Sequence, residues 1–374
     1  MDEQINMERY GCQIRMKDVG LDGQQKLKHA RVLVIGAGGL GCPALQYLTG
    51  AGIGHIGIVD NDKVEISNLH RQILYSTEDI GKSKAETAAS RLQKINPDTR
   101  ITVYPFRITN KEALSVLREY DLIIDGSDNF ATRFMINDAC VILNKTLIFG
   151  AIGETEGHVG VFHHSSNNSS ANLRDLYPSL LPEEAAYTCR ETGTLGVMPG
   201  LIGTLIASEA IKLIINRGSI FANQLFTYNL FTNQSYCFNI KPSKNASSNH
   251  PQTAQEFQQT DYLIYSAIKH EWKEINSMQM EEILGKEKSI VIDVREESEY
   301  ADIEIEHTLR IPIENLLSDL KKVEHADHLI VICSGGVRSK IGANMLHEHF
   351  GKSKNIYSLK GGIRQWKEKL RIYS

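Results

Sequence analysis

A chain of 374 residues, 41% apolar and 23% charged, has the composition of ordinary globular protein and the length for two or three domains. Its formal charge of -4 gives no global electrostatic case for nucleic-acid binding. Six scattered cysteines without a CxxC pair argue against a disulfide framework or a structural zinc site, and no uninterrupted apolar run is expected to reach membrane-spanning length.

The first fifteen residues are charged and polar, unlike a signal peptide or an anchor, so the expected location is cytoplasmic and no membrane partner is expected. The apolar run at 30–35 predicts a buried parallel strand, and Gly36-Ala37-Gly38-Gly39-Leu40-Gly41 follows it. Residues 42–50 read as a helix with Pro43 in its tolerant first turn. A second strand, 55–60, ends in Asp60, and the rhythm at 81–95 predicts a helix stopped by Asn96-Pro97. Further strands are expected at 101–103, 121–125 and 146–151. The alternation predicts an α/β fold, a Rossmann-like mostly parallel sheet with helices on both faces. Residues 163–184, rich in Ser, Asn and Pro, read as a long functional loop, and 200–215 as an apolar helix. Residues 241–260 have a linker's composition and divide the chain into expected domains at 1–240 and 261–374. Strands at 290–293 and 329–332 and a helix at 341–350 make the second domain a smaller α/β unit.

A glycine loop without β-carbons lets phosphates approach closely, and the helix behind it offers unpaired N–H groups to an anion. Asp60 stands beyond the second strand, where a carboxylate can hold ribose hydroxyls. Tight glycine packing in a core is the plainer alternative. Arg71 and Lys84 can stabilise charge on transferring phosphates, and Asp128 can hold magnesium from its place beyond the fourth strand. A hydride-transfer site needs no such set, although each residue alone reads equally well as a solvated charge.

The motifs Arg9-Tyr10, Gly23-Gln24, the loop 36–42, Asp60, the segments 67–72 and 79–84, Asn96-Pro97 and 127–132 occur here in one order. In this series the chain resembles the MoeB/ThiF family of ubiquitin-like-protein-activating enzymes over residues 9–239. The segments 189–196 and 209–212 extend the likeness. The resemblance implies adenylation by ATP of the C-terminal glycine of a ubiquitin-like sulfur carrier ending in Gly-Gly, with release of pyrophosphate. It implies a nucleotide site of Gly36, Gly38, Gly39, Gly41, Asp60, Asp62, Asn68, Arg71, Gln72, Lys84, Asp128 and Asn129. Asp128 would carry magnesium, and the protein would be a homodimer. Cys189 corresponds to a covalently reactive family position; the alternative is a small buried side chain. Two departures stand out. Cys12 occupies the place of an arginine that reaches into the opposite active site, and a thiol cannot supply that fork of donors, so Arg15 is the expected substitute. The first zinc-binding CxxC pair of many relatives is replaced by Asn172-Leu173-Arg174-Asp175, so no zinc is expected and packing or hydrogen bonds must hold that segment.

The run 329–332 leads into Cys333-Ser334-Gly335-Gly336-Val337-Arg338-Ser339, a thiol before glycines and an arginine, which reads as an anion-binding nest. With Ile292-Asp293-Val294-Arg295 and the segment 359–366, this loop resembles the rhodanese family over residues 284–370. The resemblance implies a persulfide on Cys333, stabilised by loop N–H groups and Arg338, and supplied by a cysteine desulfurase or another persulfide donor. Asp293 and Arg295 are expected to orient the loop. Together the halves imply a carrier adenylyltransferase and sulfurtransferase, of the kind used in molybdenum cofactor, thiamine or cysteine biosynthesis or in tRNA thiolation, and neither half specifies which. The alternative is activation of a non-sulfur modifier through Cys189, with the second domain serving for docking or regulation.

Overall fold

The computed structural model describes residues 5–164, 170–177, 193–242, 250–262, 272–295, 299, 305, 308–333, 336–363 and 366. They form two compact units, the first ending at 262 and the second starting at 272.

The first unit opens with helices α1 (Met7–Ile14) and α2 (Gly20–His29). Strands β1 (Arg31–Ile35), β2 (His55–Val59), β3 (Arg100–Tyr104), β4 (Leu122–Asp125) and β5 (Thr146–Ile152) follow, with helices α3 (Gly41–Ala51), α4 (Lys84–Ile95), α5 (Asn110–Arg118) and α6 (Phe130–Leu143) between them. Strands β6 (Glu156–Phe162), β7 (Gln224–Asn229) and β8 (Gln234–Asn239) complete an eight-stranded sheet in the order β3-β2-β1-β4-β5-β6-β7-β8. Pairing is parallel from β3 to β5 and antiparallel from β5 to β8. The central strands are continuous apolar runs because both faces are covered, and Val32, Val34, Ile56, Ile58, Ile124 and Ile148 are buried with the helix residues Leu45 and Leu48.

Between β6 and β7 lie the short helix α7 (Leu173–Leu176) and α8 (Val197–Ile215). By length and composition α8 could cross a membrane, which corrects the expectation that nothing here reaches that size. It packs on α3, β5 and β6, with Met198, Ile202, Ile206 and Ala210 buried, as a core helix does. The segment 241–260, read as a linker, contains helix α9 (Ala254–Gln259), which packs on α5 and α6 through buried Phe257. Asn110 Nδ2 donates to the carbonyls of Phe257, Gln258 and Thr260.

The second unit is a five-stranded parallel sheet in the order β11-β10-β12-β13-β9, made by β9 (Lys273–Ile275), β10 (Ser289–Asp293), β11 (Thr308–Arg310), β12 (His328–Ile332) and β13 (Asn355–Leu359). Helices α10 (Ser277–Leu284) and α11 (Val337–Phe350) accompany it. α11 begins four residues before the expected start at 341 because Gly336, at φ +93°, turns the chain directly from the Cys333 loop into the helix.

Candidate functional site

Parallel register sets Ile35 beside both Val59 and Asp125, so the glycine loop, Asp60 and the segment 125–129 meet at the carboxyl edge of the sheet. Gly36 turns the chain at φ +95°, and a β-carbon there would lie 2.7 Å from the Gly126 carbonyl oxygen. A β-carbon on Gly38 would stand 3.6 Å from Gln72 Nε2, and one on Gly39 would meet Pro199 at 3.0 Å and Arg71 Cδ at 3.8 Å. Gly41 lies so close to the Gly36 carbonyl that a β-carbon would stand 1.9 Å from its oxygen. The glycines, the 68–72 segment, the 125–129 segment and the start of α8 therefore surround one place.

Asp60 accepts from the Ala37 N–H at 2.7 Å and the Asp62 N–H at 2.8 Å. Burial pushes its carboxyl above the usual carboxylate range, and the nearby Lys84 charge and these two N–H groups oppose that rise. Lys84 is only 3% exposed and reaches Asp62 Oδ2 at 2.9 Å. Arg71 donates to the Ser67 carbonyl at 2.9 Å and lies 2.8 Å from the His70 ring nitrogen Nε2. Asn68 and Gln72 are buried, and among the described residues Asn68 Oδ1 and Gln72 Oε1 have no hydrogen-bond partner. Buried polar atoms of this kind ordinarily meet a partner, so these two acceptor oxygens suit a donor other than the described side chains, such as water or a ligand hydroxyl. Asp128 is exposed, whereas Asn129 spends its Oδ1 on the Thr132 N–H as the cap of α6.

These residues fit a nucleotide with magnesium. The glycine cradle is one that β-carbons would close, and Lys84, Arg71 and the α3 N-terminus supply positive potential. Magnesium binds through one or two carboxylates completed by phosphates and water, so Asp128 needs no all-protein cage. Among the described residues no group of three or more His, Cys, Asp or Glu side chains gathers as a metal site.

Four residues support the site; the motifs include Asp125 but not Tyr75, Arg133 or Asp138. Tyr75 donates its hydroxyl to the Ala37 carbonyl at 2.8 Å and so braces the glycine loop. Asp125 accepts from the Ser127 N–H and hydroxyl at 2.9 and 2.6 Å. Arg133 donates to the Ser127 carbonyl at 2.9 Å while its guanidinium lies over Phe130 and Phe149. Asp138, fully buried, accepts two bonds from Arg174 at 2.9 and 2.7 Å and one from the Tyr262 hydroxyl at 2.9 Å. With the mutual capping of Asn172 and Asp175, this cluster holds the 172–175 segment by hydrogen bonds.

Cys12 is exposed on α1, and Arg15 Nη2 donates to its Sγ at 3.2 Å, so the expected substitute lies directly beside the position it would serve. Cys189 lies outside the described residues.

In the second unit Cys333 follows β12 and is 1% exposed. The Gly336 N–H points at its Sγ from 3.1 Å, and Ser339 Oγ stands 3.6 Å from it. Ser339 is fixed in turn by donating to the Gly336 carbonyl and by accepting from Ser358. Asp293 and Arg295 form a buried two-bonded pair at the end of β10. Arg338, in the first turn of α11, forms two bonds with the Glu299 carboxylate, a partner that no motif indicated. Ser334 and Gly335 lie outside the described residues.

A ThiF family model matches residues 10–251, and a rhodanese-like domain model matches residues 277–369. A sulfur carrier protein adenylyltransferase of Thermus thermophilus is 48% identical over 59% of this chain and 83% of its own. An adenylyltransferase and sulfurtransferase MOCS3 of Drosophila virilis is 34% identical over 96% of this chain and 83% of its own. Among solved structures, Escherichia coli MccB shares the fold with a TM-score of 0.56 at 22% identity, covering 64% of this chain and 72% of that one. The chain belongs to the ThiF family, carries a rhodanese-like domain behind its ThiF unit, and is an enzyme of the adenylyltransferase and sulfurtransferase class.

Proposed function

We propose that this enzyme adenylates the C-terminal carboxylate of a ubiquitin-like sulfur carrier ending in Gly-Gly, then replaces the adenylate with sulfur carried on Cys333. The reading is carried by one observation: a glycine cradle beside Lys84, Arg71, Asn68 and Gln72 shares its chain with a buried thiol that accepts from the Gly336 N–H at the start of a helix. ATP is the nucleotide. Gly36, Gly38, Gly39 and Gly41 admit its phosphates, Asp60 and Asp62 serve the ribose side, and Asp128 and Asn129 face the magnesium-bound phosphates. The carrier carboxylate attacks the α-phosphorus and pyrophosphate leaves. Arg71 and Lys84 stabilise the charge that develops on the phosphoryl oxygens.

A persulfide on Cys333 then attacks the acyl carbon and AMP departs with the C–O electron pair, leaving an acyl group joined to Cys333 through two sulfurs. Attack by a second thiolate on the Cys333 sulfur forms a disulfide there and releases the carrier thiocarboxylate. Cys189 or an external thiol supplies that thiolate. Because Cys333 is 1% exposed, its loop opens when the carrier tail arrives. The enzyme works as a cytoplasmic homodimer, with Arg15 replacing the arginine that Cys12 displaces and with a cysteine desulfurase or similar protein donating sulfur. Molybdenum cofactor synthesis is the pathway it serves, and thiamine synthesis uses a carrier of the same kind.

Carrier-dependent exchange of labelled pyrophosphate into ATP, followed by mass measurement of the carrier, tests this reading. Exchange with conversion of the carrier to its thiocarboxylate supports it. Exchange with an unconverted carrier, in the presence of a persulfide donor, favours modifier activation through Cys189.

A further inference from the structure

We propose that Glu299 sets the choice of sulfur donor in the rhodanese-like unit. Resting on the reading of Cys333 as the sulfur-carrying thiol, the proposal concerns how that thiol is loaded. By tying up the Arg338 guanidinium, Glu299 cancels the positive charge that would hold a dianionic inorganic donor. Cys333 therefore takes its sulfur from a donor of low charge, a protein-borne persulfide.

The geometry is specific. Arg338 Nη1 bonds Glu299 Oε2 and Nη2 bonds Glu299 Oε1, a parallel two-bond pairing that uses both carboxylate oxygens. The side chains are 31% and 32% exposed, so the pair lies where a small donor can reach it. Arg338 stands two residues beyond Gly336, whose N–H points at Cys333 Sγ, and is thus the loop's own cation. A second arginine, Arg295, is committed to Asp293 through its Nε and Nη2 and to the Glu299 carbonyl through Nη1. Glu299 therefore touches both arginines, one with its carboxylate and one with its backbone, and brings a negative charge into the loop's surroundings. Thiosulfate carries two charges and needs a cation to approach a thiolate, since like charges oppose the encounter. A persulfide delivered by a docked protein brings at most one charge and its own binding surface.

The loading step is the same for each donor in atoms and electrons. The Cys333 thiolate attacks the outer sulfur of thiosulfate, the S–S bond breaks, sulfite leaves with its electron pair, and Cys333 becomes a persulfide anion. Methanethiosulfonate reacts identically and releases methanesulfinate, but carries one charge in place of two. Cyanide then takes the outer sulfur as thiocyanate and regenerates the thiolate.

The test measures thiocyanate production by the full chain with both donors. In the unaltered protein kcat/KM favours methanethiosulfonate over thiosulfate. In Glu299→Gln the KM for thiosulfate falls by about tenfold, the size of one charge-assisted hydrogen bond from the released Arg338, while kcat and the KM for methanethiosulfonate change much less. Glu299→Asp, which keeps the charge, restores most of the original preference. A preference of the unaltered chain for thiosulfate overturns the proposal even where Glu299→Gln does not fold. So does a Glu299→Gln protein whose KM values are unchanged or rise together. Loss of all transfer in Cys333→Ala shows that the measured reaction uses the assigned thiol. If transfer persists there, the underlying reading of Cys333 fails together with the proposal, whereas Cys333-dependent transfer with an unmoved donor ratio removes the role of Glu299 alone.

Discussion

Lys84 shows how much one side chain asks of its surroundings. An ammonium buried to 3% exposure is tolerable because Asp62 stands 2.9 Å from it, and the two can part when phosphate oxygens offer better partners. Replacing Lys84 with Ala is expected to lower carrier-dependent pyrophosphate exchange by roughly 10²- to 10³-fold, the scale of one lost transition-state donor. Arg15 makes a smaller claim. Its bond to Cys12 places a guanidinium beside the position it is proposed to serve, so Arg15→Ala is expected to lower exchange by about tenfold while Cys12→Ser changes it little. Unchanged exchange in Arg15→Ala removes Arg15 from the site. Asp79 gives a test through pH. Burial alone raises its carboxyl pKa, but the Ser76 N–H, Arg91 and the Ser76 hydroxyl outweigh that and hold it at about 2. A depressed native value means that its stabilisation is present above the ordinary value near ~4 and is lost as pH falls through about 2. Acid unfolding curves of the unaltered chain and Asp79→Asn should therefore converge below that window and separate above it. Gly36, Gly38 and Asp60 stood out in the sequence because they follow apolar strand runs, and Lys84 because it closes the 79–84 motif; singly, each also reads as core glycine or solvated charge. Glu299 did not, because its pairing with Arg338 spans 39 positions and no local pattern marks it.

At the scale of elements, the buried parallel strands announced themselves as unbroken apolar runs. The antiparallel strands β6 to β8 did not. β8 is exposed along its whole length and β7 is only half-buried, so neither shows the apolar contrast that marks a strand. β9 and β11 are three residues each, too short for a periodic signal. The segment at Asn172 is the instructive case. Its lack of cysteines was legible, but its replacement was not, because Asp138 and Arg174 are 36 positions apart. Removing Asp138 leaves Arg174 buried without its carboxylate. Asp138→Ala is expected to destabilise the first unit by about 3–5 kcal/mol in urea unfolding, as broken buried pairs do. Tyr262→Phe, which removes one hydroxyl bond, should cost only about 1 kcal/mol. Equal effects of the two would show that the cluster holds α7 and the 250–262 segment by packing and not by charge.

Across the whole molecule, two α/β units carry two chemistries that are of little use apart. An acyl adenylate hydrolyses unless a nucleophile meets it, and a persulfide needs an activated carbonyl to become a thiocarboxylate. The ThiF unit and the rhodanese-like unit correspond to these two halves, and the order of motifs along the sequence pointed to both. The most direct measurement is the mass of a Gly-Gly-terminated carrier incubated with ATP, magnesium, a persulfide donor and either the unaltered chain or Cys333→Ala. The account predicts pyrophosphate exchange with both proteins, and a thiocarboxylated carrier with the unaltered chain alone. Thiocarboxylate formed at the same rate by Cys333→Ala would contradict it.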